Sequence, residues 1–169
     1  LYRAPEATRD RVLALVLADP GLHLREAPRR LGVSLRTARY HLDALVLEGR
    51  AVRQAMGGFV RFFPAGVFDG AERDLIGALR VANQRAVVEA LLREAPQGFT
   101  RVMAASRLGR STLALALHRL EEAGVARRAA GGQWELCDPA KARAVLEGYR
   151  ARFPDRLADA ADAIFGAAD

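Results

Sequence analysis

The chain has 169 residues, 51% of them hydrophobic, enough to bury a real core as one domain or two small ones and to exclude disorder as its default state. Its 26 basic residues outnumber 20 acidic ones, giving a net charge of +6 and a pI near 10.6, a balance that favours a polyanionic partner. One cysteine, Cys137, excludes an internal disulfide and a multi-cysteine metal cluster, and the longest apolar run, residues 12–18, is too short to span a bilayer.

Nearly every cation is arginine, Lys141 being the single lysine. Arginine suits bidentate contacts to phosphate and guanine. The expected setting is cytoplasmic and nucleoid-associated, with no membrane partner.

In chain order, Thr8 is a plausible N-cap for a helix to Ala18, with Val12, Leu13, Val16 and Leu17 on its buried side. Asp19-Pro20-Gly21 breaks it. A short helix is predicted over residues 24–31, then a turn through Gly32-Val33, then a helix opened by Ser34 as N-cap and closed at Gly49. Two short helices joined by a glycine-containing turn are the sequence form of a helix-turn-helix, whose second helix would enter the major groove. In that helix Ala38, Leu42 and Leu45 form the core stripe. Arg36, Tyr40 and Asp43 point the other way, with Thr37, Arg39 and His41 on the flanks. Residues 51–54 and 59–63 read as strands joined at Met56-Gly57-Gly58, placing Arg53 and Arg61 on or beside a wing within reach of the DNA backbone.

Residues 69–80 form a polar-started helical connector carrying Leu75, Ile76 and Leu79. The parse then repeats, as in an internal duplication. Asn83 caps a helix with Val87, Val88, Leu91 and Leu92, and Thr100 opens a short helix to Leu108. Gly109-Arg110-Ser111 turns and caps a longer helix to Gly124, and residues 125–128 and 133–137 form a second hairpin around Gly131-Gly132. Asp138-Pro139 starts a further helix with Val145, Leu146, Tyr149 and Phe153 on one side. A last amphipathic segment holds Leu157, Ala161, Ile164 and Phe165. The expected fold class is mainly α with small β-hairpins: two tandem winged-helix domains, residues 1–68 and 69–137, and a C-terminal helical tail, residues 138–169, for packing or dimerisation.

The chain resembles the tandem winged-helix regulators common in archaea, related in fold to the ArsR and MarR groups. In the first half the resemblance rests on Pro20-Gly21-Leu22-His23-Leu24-Arg25-Glu26, Arg29-Arg30-Leu31-Gly32-Val33-Ser34, Thr37, Arg39-Tyr40-His41-Leu42 and Arg61-Phe62-Phe63-Pro64. In the second it rests on residues 120–128 and on Asp138-Pro139. It implies sequence-directed binding of double-stranded DNA, transcriptional regulation and a homodimer. There are departures. Pro28 lies where the family has an apolar or small residue and should cost the short helix a backbone bond or bend it. Arg50, Val46 and Leu47 depart around the end of the longer helix, as a shifted helix end or an extra contact surface would explain.

A third departure separates the halves. In the second long helix Leu113, Leu117 and Leu120 make the core stripe, while Ala114, Leu115 and Ala116 occupy the face that should read DNA. These side chains offer nothing to hydrogen-bond base edges. Only Arg110, Ser111, Thr112 and Arg119 remain as secondary phosphate contacts, and Leu115 and Ala116 are expected at an interface. Residues 1–68 carry 11 basic and 6 acidic groups, against 10 and 8 in residues 69–137. The expected reader is therefore the first half, through Ser34, Arg36, Thr37, Arg39, Tyr40, His41, Arg53 and Arg61, with an architectural second half. The alternatives are a protein-interaction module docking through residues 114–116, or a non-specific chromatin-type DNA-binding protein.

No glycine-rich phosphate loop is present, and His23, His41 and His118 lie far apart without metal-ligand spacing. No cofactor, metal or catalytic group is expected, and an enzyme is the least favoured class. Cys137 reads as a small buried hydrophobe, with a redox sensor as the alternative. Trp134 reads as core or interface, with an effector pocket as the alternative. The sequence names no effector.

Overall fold

A computed structural model describes residues 5–56 and 58–152, which fall into two compact units divided between Arg73 and Asp74. The expected segment carrying Phe153, Leu157, Ala161, Ile164 and Phe165 lies outside the described residues, as does Gly57 of the first hairpin.

The first unit opens with helix α1, Pro5–Ala18. Thr8 is not its cap but lies buried within it, the helix having begun three residues earlier. Val12, Leu15 and Val16 supply its buried side, whereas Leu17 is half-exposed. A two-residue strand follows, β1 (Leu22–His23), which sequence periodicity did not show. The short helix α2 spans Glu26–Leu31 and so begins two residues later than expected. That start resolves Pro28: it falls in the first turn, where backbone N–H groups have no intrahelical partner to lose. Gly32 ends α2 in the left-handed region (φ 66°), its N–H donating to the Pro28 carbonyl at 2.9 Å.

Helix α3, Leu35–Leu47, is capped as predicted: the Ser34 hydroxyl accepts from the Thr37 N–H at 3.0 Å. Ala38, Leu42 and Leu45 are fully buried. Strands β2 (Ala51–Met56) and β3 (Phe59–Pro64) form the hairpin, and β3 pairs on its other edge with β1, giving an antiparallel sheet of order β1-β3-β2. The core is the α1 stripe, Leu22, Ala27, the α3 stripe, Ala51 and Phe62.

Helix α4 (Gly70–Leu79) begins in the first unit and ends in the second. A reciprocal capping box starts it: the Glu72 N–H donates to Asp69 Oδ1 and the Asp69 N–H to Glu72 Oε2, both at 2.8 Å. The second unit continues with α5 (Ala82–Arg93), α6 (Phe99–Ser106), α7 (Arg110–Glu122), β4 (Ala126–Arg128), β5 (Trp134–Leu136) and α8 (Pro139–Arg152). The N-caps are Val81 for α5 and Gly98 for α6, rather than the expected Asn83 and Thr100. Leu79, Val87, Val88, Leu91, Val102, Leu113, Leu117, Leu120, Trp134 and Leu136 share one core. At the head of α8 the Lys141 N–H donates to Asp138 Oδ1 at 2.9 Å, as the Asp-Pro signature requires. Cys137 is exposed, not buried, because it follows the last residue of β5.

The second unit repeats the local backbone of the first 75 positions later. Helices α3 and α7 each have 13 residues, and their N-caps Ser34 and Gly109 share φ −67° with ψ 156° and 157°. Gly49 and Gly124 follow at φ 68° and 67°. Where β1 pairs Leu22 with Phe62, the second unit keeps a single bridge, Gln97 with Trp134. The hairpin shrinks from six-residue to three-residue strands.

The buried stripe sets a graded stability test. Leu42→Ala should cost about 2–5 kcal/mol, because it empties a fully buried site. Leu47→Ala, at a position 89% exposed, should stay within about 0.5 kcal/mol. Urea denaturation of the two variants beside the parent checks the contrast.

Candidate nucleic-acid interface

The orientation of α3 is fixed from its buried side. At 100° per residue, turning Ala38, Leu42 and Leu45 inward sends Arg36, Arg39 and Tyr40 outward. All three are exposed, Tyr40 at 62%. Among the described residues neither Arg36 nor Arg39 has a hydrogen-bond or ion-pair partner, so their guanidinium groups are uncommitted. Ser34 and Thr37 are spent partly on each other: besides the cap, their hydroxyl oxygens lie 2.8 Å apart. They secure the first turn and keep its outward N–H groups at the positive end of the helix dipole.

His41 departs from the expected site. It is 4% exposed and so cannot reach a base edge. The reason is positional: 38, 41, 42 and 45 stand at i, i+3, i+4 and i+7, so His41 belongs to the core stripe despite its polarity. Its ring meets Tyr40 edge-on, centroids 5.2 Å apart, and its Nδ1 is buried without a hydrogen-bond partner. Burial lowers its pKa below 6.5, and the positive charge of Arg9 lowers it further.

The two wing arginines separate by the parity of the pleat. Arg53 pairs across the ladder with Phe62 and so lies on the core-facing side with α3; its Nη1 is 3.7 Å from Asp43. Arg61 is opposite Gln54 and therefore lies on the other face. It is half-buried and donates to the Gly21 carbonyl at 3.0 Å, tying the central strand to the α1–β1 turn. Arg61 thus has a structural place, on the sheet face opposite that of Arg53. The six-residue strands carry the hairpin past the core to an exposed tip, Phe59 and Val60. Two cations were not singled out by spacing: Arg25 and Arg29, exposed before and within α2. The helix-turn-helix geometry itself is the signal for them, since its first helix crosses the backbone.

In the second unit α7 presents different chemistry. Arg110 and Ser111 are exposed and Thr112 is half-buried; Arg110 lies over the Phe99 ring at 5.7 Å, and Arg119 pairs with Glu122 at 3.0 Å. Leu115 is 58% exposed, whereas Ala116 is buried among the core leucines and so cannot form part of an outer interface. The reason is again the wheel: 113, 116, 117 and 120 make one stripe. Trp134 is core, with the Arg128 guanidinium 4.5 Å above its ring. Among the described residues no group of three or more His, Cys, Asp or Glu side chains is placed to hold a metal ion, and no helix is long and apolar enough to cross a membrane.

A short helix, a tight left-handed turn and a capped second helix packed on a small sheet define a helix-turn-helix. Residues 6–76 match the family model HTH_HVO_0163_N, N-terminal HTH domain, so this part of the chain carries a helix-turn-helix DNA-binding domain. No curated protein matches the sequence. Human N-acetylserotonin methyltransferase, solved in complex with SAM, is similar at a TM-score of 0.33 and 14% identity over 72% of this chain. The chain spans 38% of that enzyme's length, and a likeness this slight carries no argument.

The buried imidazole has a pH signature. Its folded pKa lies below the free value, so its contribution is present above pH ~6.5 and is lost as pH falls toward the lowered folded value. The thermal midpoint should therefore fall between pH 7.5 and 5.5 in the parent. It should fall less in His41→Leu, and melting both proteins across that range is the check.

Proposed function

We propose that the chain is a homodimeric regulator of transcription that reads double-stranded DNA by sequence and performs no catalysis. In this reading both units are winged helices of the tandem kind. Arg36, Arg39 and Tyr40 of α3 contact base edges in the major groove, Ser34 and Thr37 hold the first turn against phosphate, and Arg53 reaches the backbone. The second unit is architectural, and the protein works at the nucleoid.

The observation that carries the reading is the pair of uncommitted arginines beside Tyr40 on a helix whose opposite side is locked in the core. Three differences favour the division of labour. At the positions of Arg36, Arg39 and Tyr40 the second unit has Ser111, Ala114 and Leu115. Its N-cap is Gly109, which has no hydroxyl. Its hairpin is half as long. A dimer would present two α3 helices about 34–36 Å apart, or a multiple of that, on a near-palindromic site.

Selection from a random DNA pool should yield one motif. On that site, each guanine-type contact is worth about 1–3 kcal/mol. Arg36→Ala with Arg39→Ala should therefore weaken binding at least about thirtyfold, at 1.4 kcal/mol per tenfold. On a single half-site, Arg110→Ala with Arg119→Ala should weaken binding far less than the α3 pair does, since these side chains lie off the proposed reading face. Fluorescence anisotropy at one salt concentration measures both, and equal losses from the two pairs sink the assignment. No motif from the pool, with binding that vanishes as salt rises, would leave only backbone contacts.

A further inference from the structure

We infer that the outward face of α7 is a docking surface for a second copy of this chain, the two α7 helices lying antiparallel about a two-fold axis. The inference rests on the dimeric reading above and names its surface. Opposite the core leucines, Ser111, Leu115, His118 and Glu122 fall at i, i+4, i+7 and i+11 and form one stripe. Leu115 is 58% exposed at its middle, and the exposed Ala114 beside it lets another backbone come close.

Charge identifies the occupant. The face carries an uncommitted charge at each end, Arg110 at its start and Glu121 at its end, while Glu122 is already paired with Arg119 at 3.0 Å and lies 3.4 Å from His118. A nucleic-acid duplex laid here would meet the unpaired Glu121 carboxylate and a leucine. An antiparallel copy would instead set each end against its opposite, and would oppose the two helix dipoles as well. Arg110 and Glu121 lie on the same flank of the stripe, and antiparallel helices bring like flanks together. Arg110 then faces Glu121 of the partner subunit, Ser111 faces Glu122 of the partner subunit, and Leu115 packs beside His118 of the partner subunit. Arg110 and Glu121 are available for this. Arg110 makes only its ring contact with Phe99, and the Glu121 carboxylate has no partner among the described residues. Such a contact is isologous and closes at two chains. One helix pair buries less than the ~800 Å² per partner of a standard interface, so the association is weak in isolation. It gains when two chains sit on neighbouring half-sites of one duplex.

Sedimentation equilibrium of the full chain without DNA, at low salt and over a range of concentrations, tests it. The parent should show a reversible monomer–dimer equilibrium, and Leu115→Asp should raise its dissociation constant at least tenfold. Leu115 is exposed, so that variant should keep the parent's circular dichroism and its affinity for a single half-site. Arg110→Glu and Glu121→Arg should each weaken the dimer severalfold. Mixed in equal amounts, these two variants should regain parental affinity, because each chain of the mixed pair then meets an opposite charge at both contacts. A monomer at every concentration would sink the dimeric reading and this surface together. A dimer indifferent to Leu115→Asp, or charge variants that do not recover on mixing, would overturn this surface alone and leave DNA reading by α3 untouched.

Discussion

The first unit depends on the seating of one helix. Ala38, Leu42 and Leu45 pack with α1 and with Phe62 of the central strand, and none of the three stripe residues is accessible. A rigid 13-residue helix has no freedom to roll once that side is fixed, so the outward direction of Arg36, Arg39 and Tyr40 follows from the leucines rather than from anything those residues do. The pre-set direction matters because long arginine side chains lose rotamer freedom on binding. What the core supplies is the helix position, so that in the proposed reading only the side-chain ordering would remain to be met on binding DNA. His41 completes this seating: a ring of intermediate polarity fills the stripe where an aliphatic side chain would otherwise sit, and leaves Nδ1 without a partner.

Much of this was legible in the sequence, and the parts that were not have a common cause. Leucine periodicity, the Ser34 cap and the glycines at helix ends are local signals, each acting within one turn, and they located α3, α7 and both hairpins. Strand β1 is two residues long and exists because Phe62 and Arg61 lie beside it, which no local pattern encodes. The side of the sheet taken by Arg53 and Arg61 depends on ladder register, so composition placed them together and the pleat parts them. His41 and Ala116 turn inward for one reason. Both sit at the i+3 position of a stripe whose neighbours had been counted at i+4 and i+7 only.

The two units show how separable backbone and chemistry are. Left-handed residues at 32 and 107, matching N-cap angles at 34 and 109, and positive-φ glycines at 49 and 124 give the same turn, helix and exit in both. The positions that set this geometry are caps and core. The outward positions are free of it, and there cations and an aromatic in one unit stand where small and aliphatic residues stand in the other. Arg107 is informative here, since it accepts a left-handed conformation that glycine takes at no steric cost in the first unit. The same turn thus forms at a residue poorly suited to it, while the outer faces of the two units differ.

One feature of the first unit runs against a polyanionic partner: Asp43 shares the outward side of α3 with the arginines. A bare carboxylate there would repel phosphate across the short distances at which a groove is read, where screening by salt is incomplete. Arg53, which the pleat puts on the sheet face that α3 packs against, brings its guanidinium within 3.7 Å of Asp43 and offsets the charge. Both side chains are about half exposed, so the pair contributes little to stability. In the proposed reading that weakness is useful, because turning Arg53 from Asp43 to a phosphate would cost little. The ion pair therefore offsets the Asp43 carboxylate on the face proposed to read DNA while leaving the cation free to move.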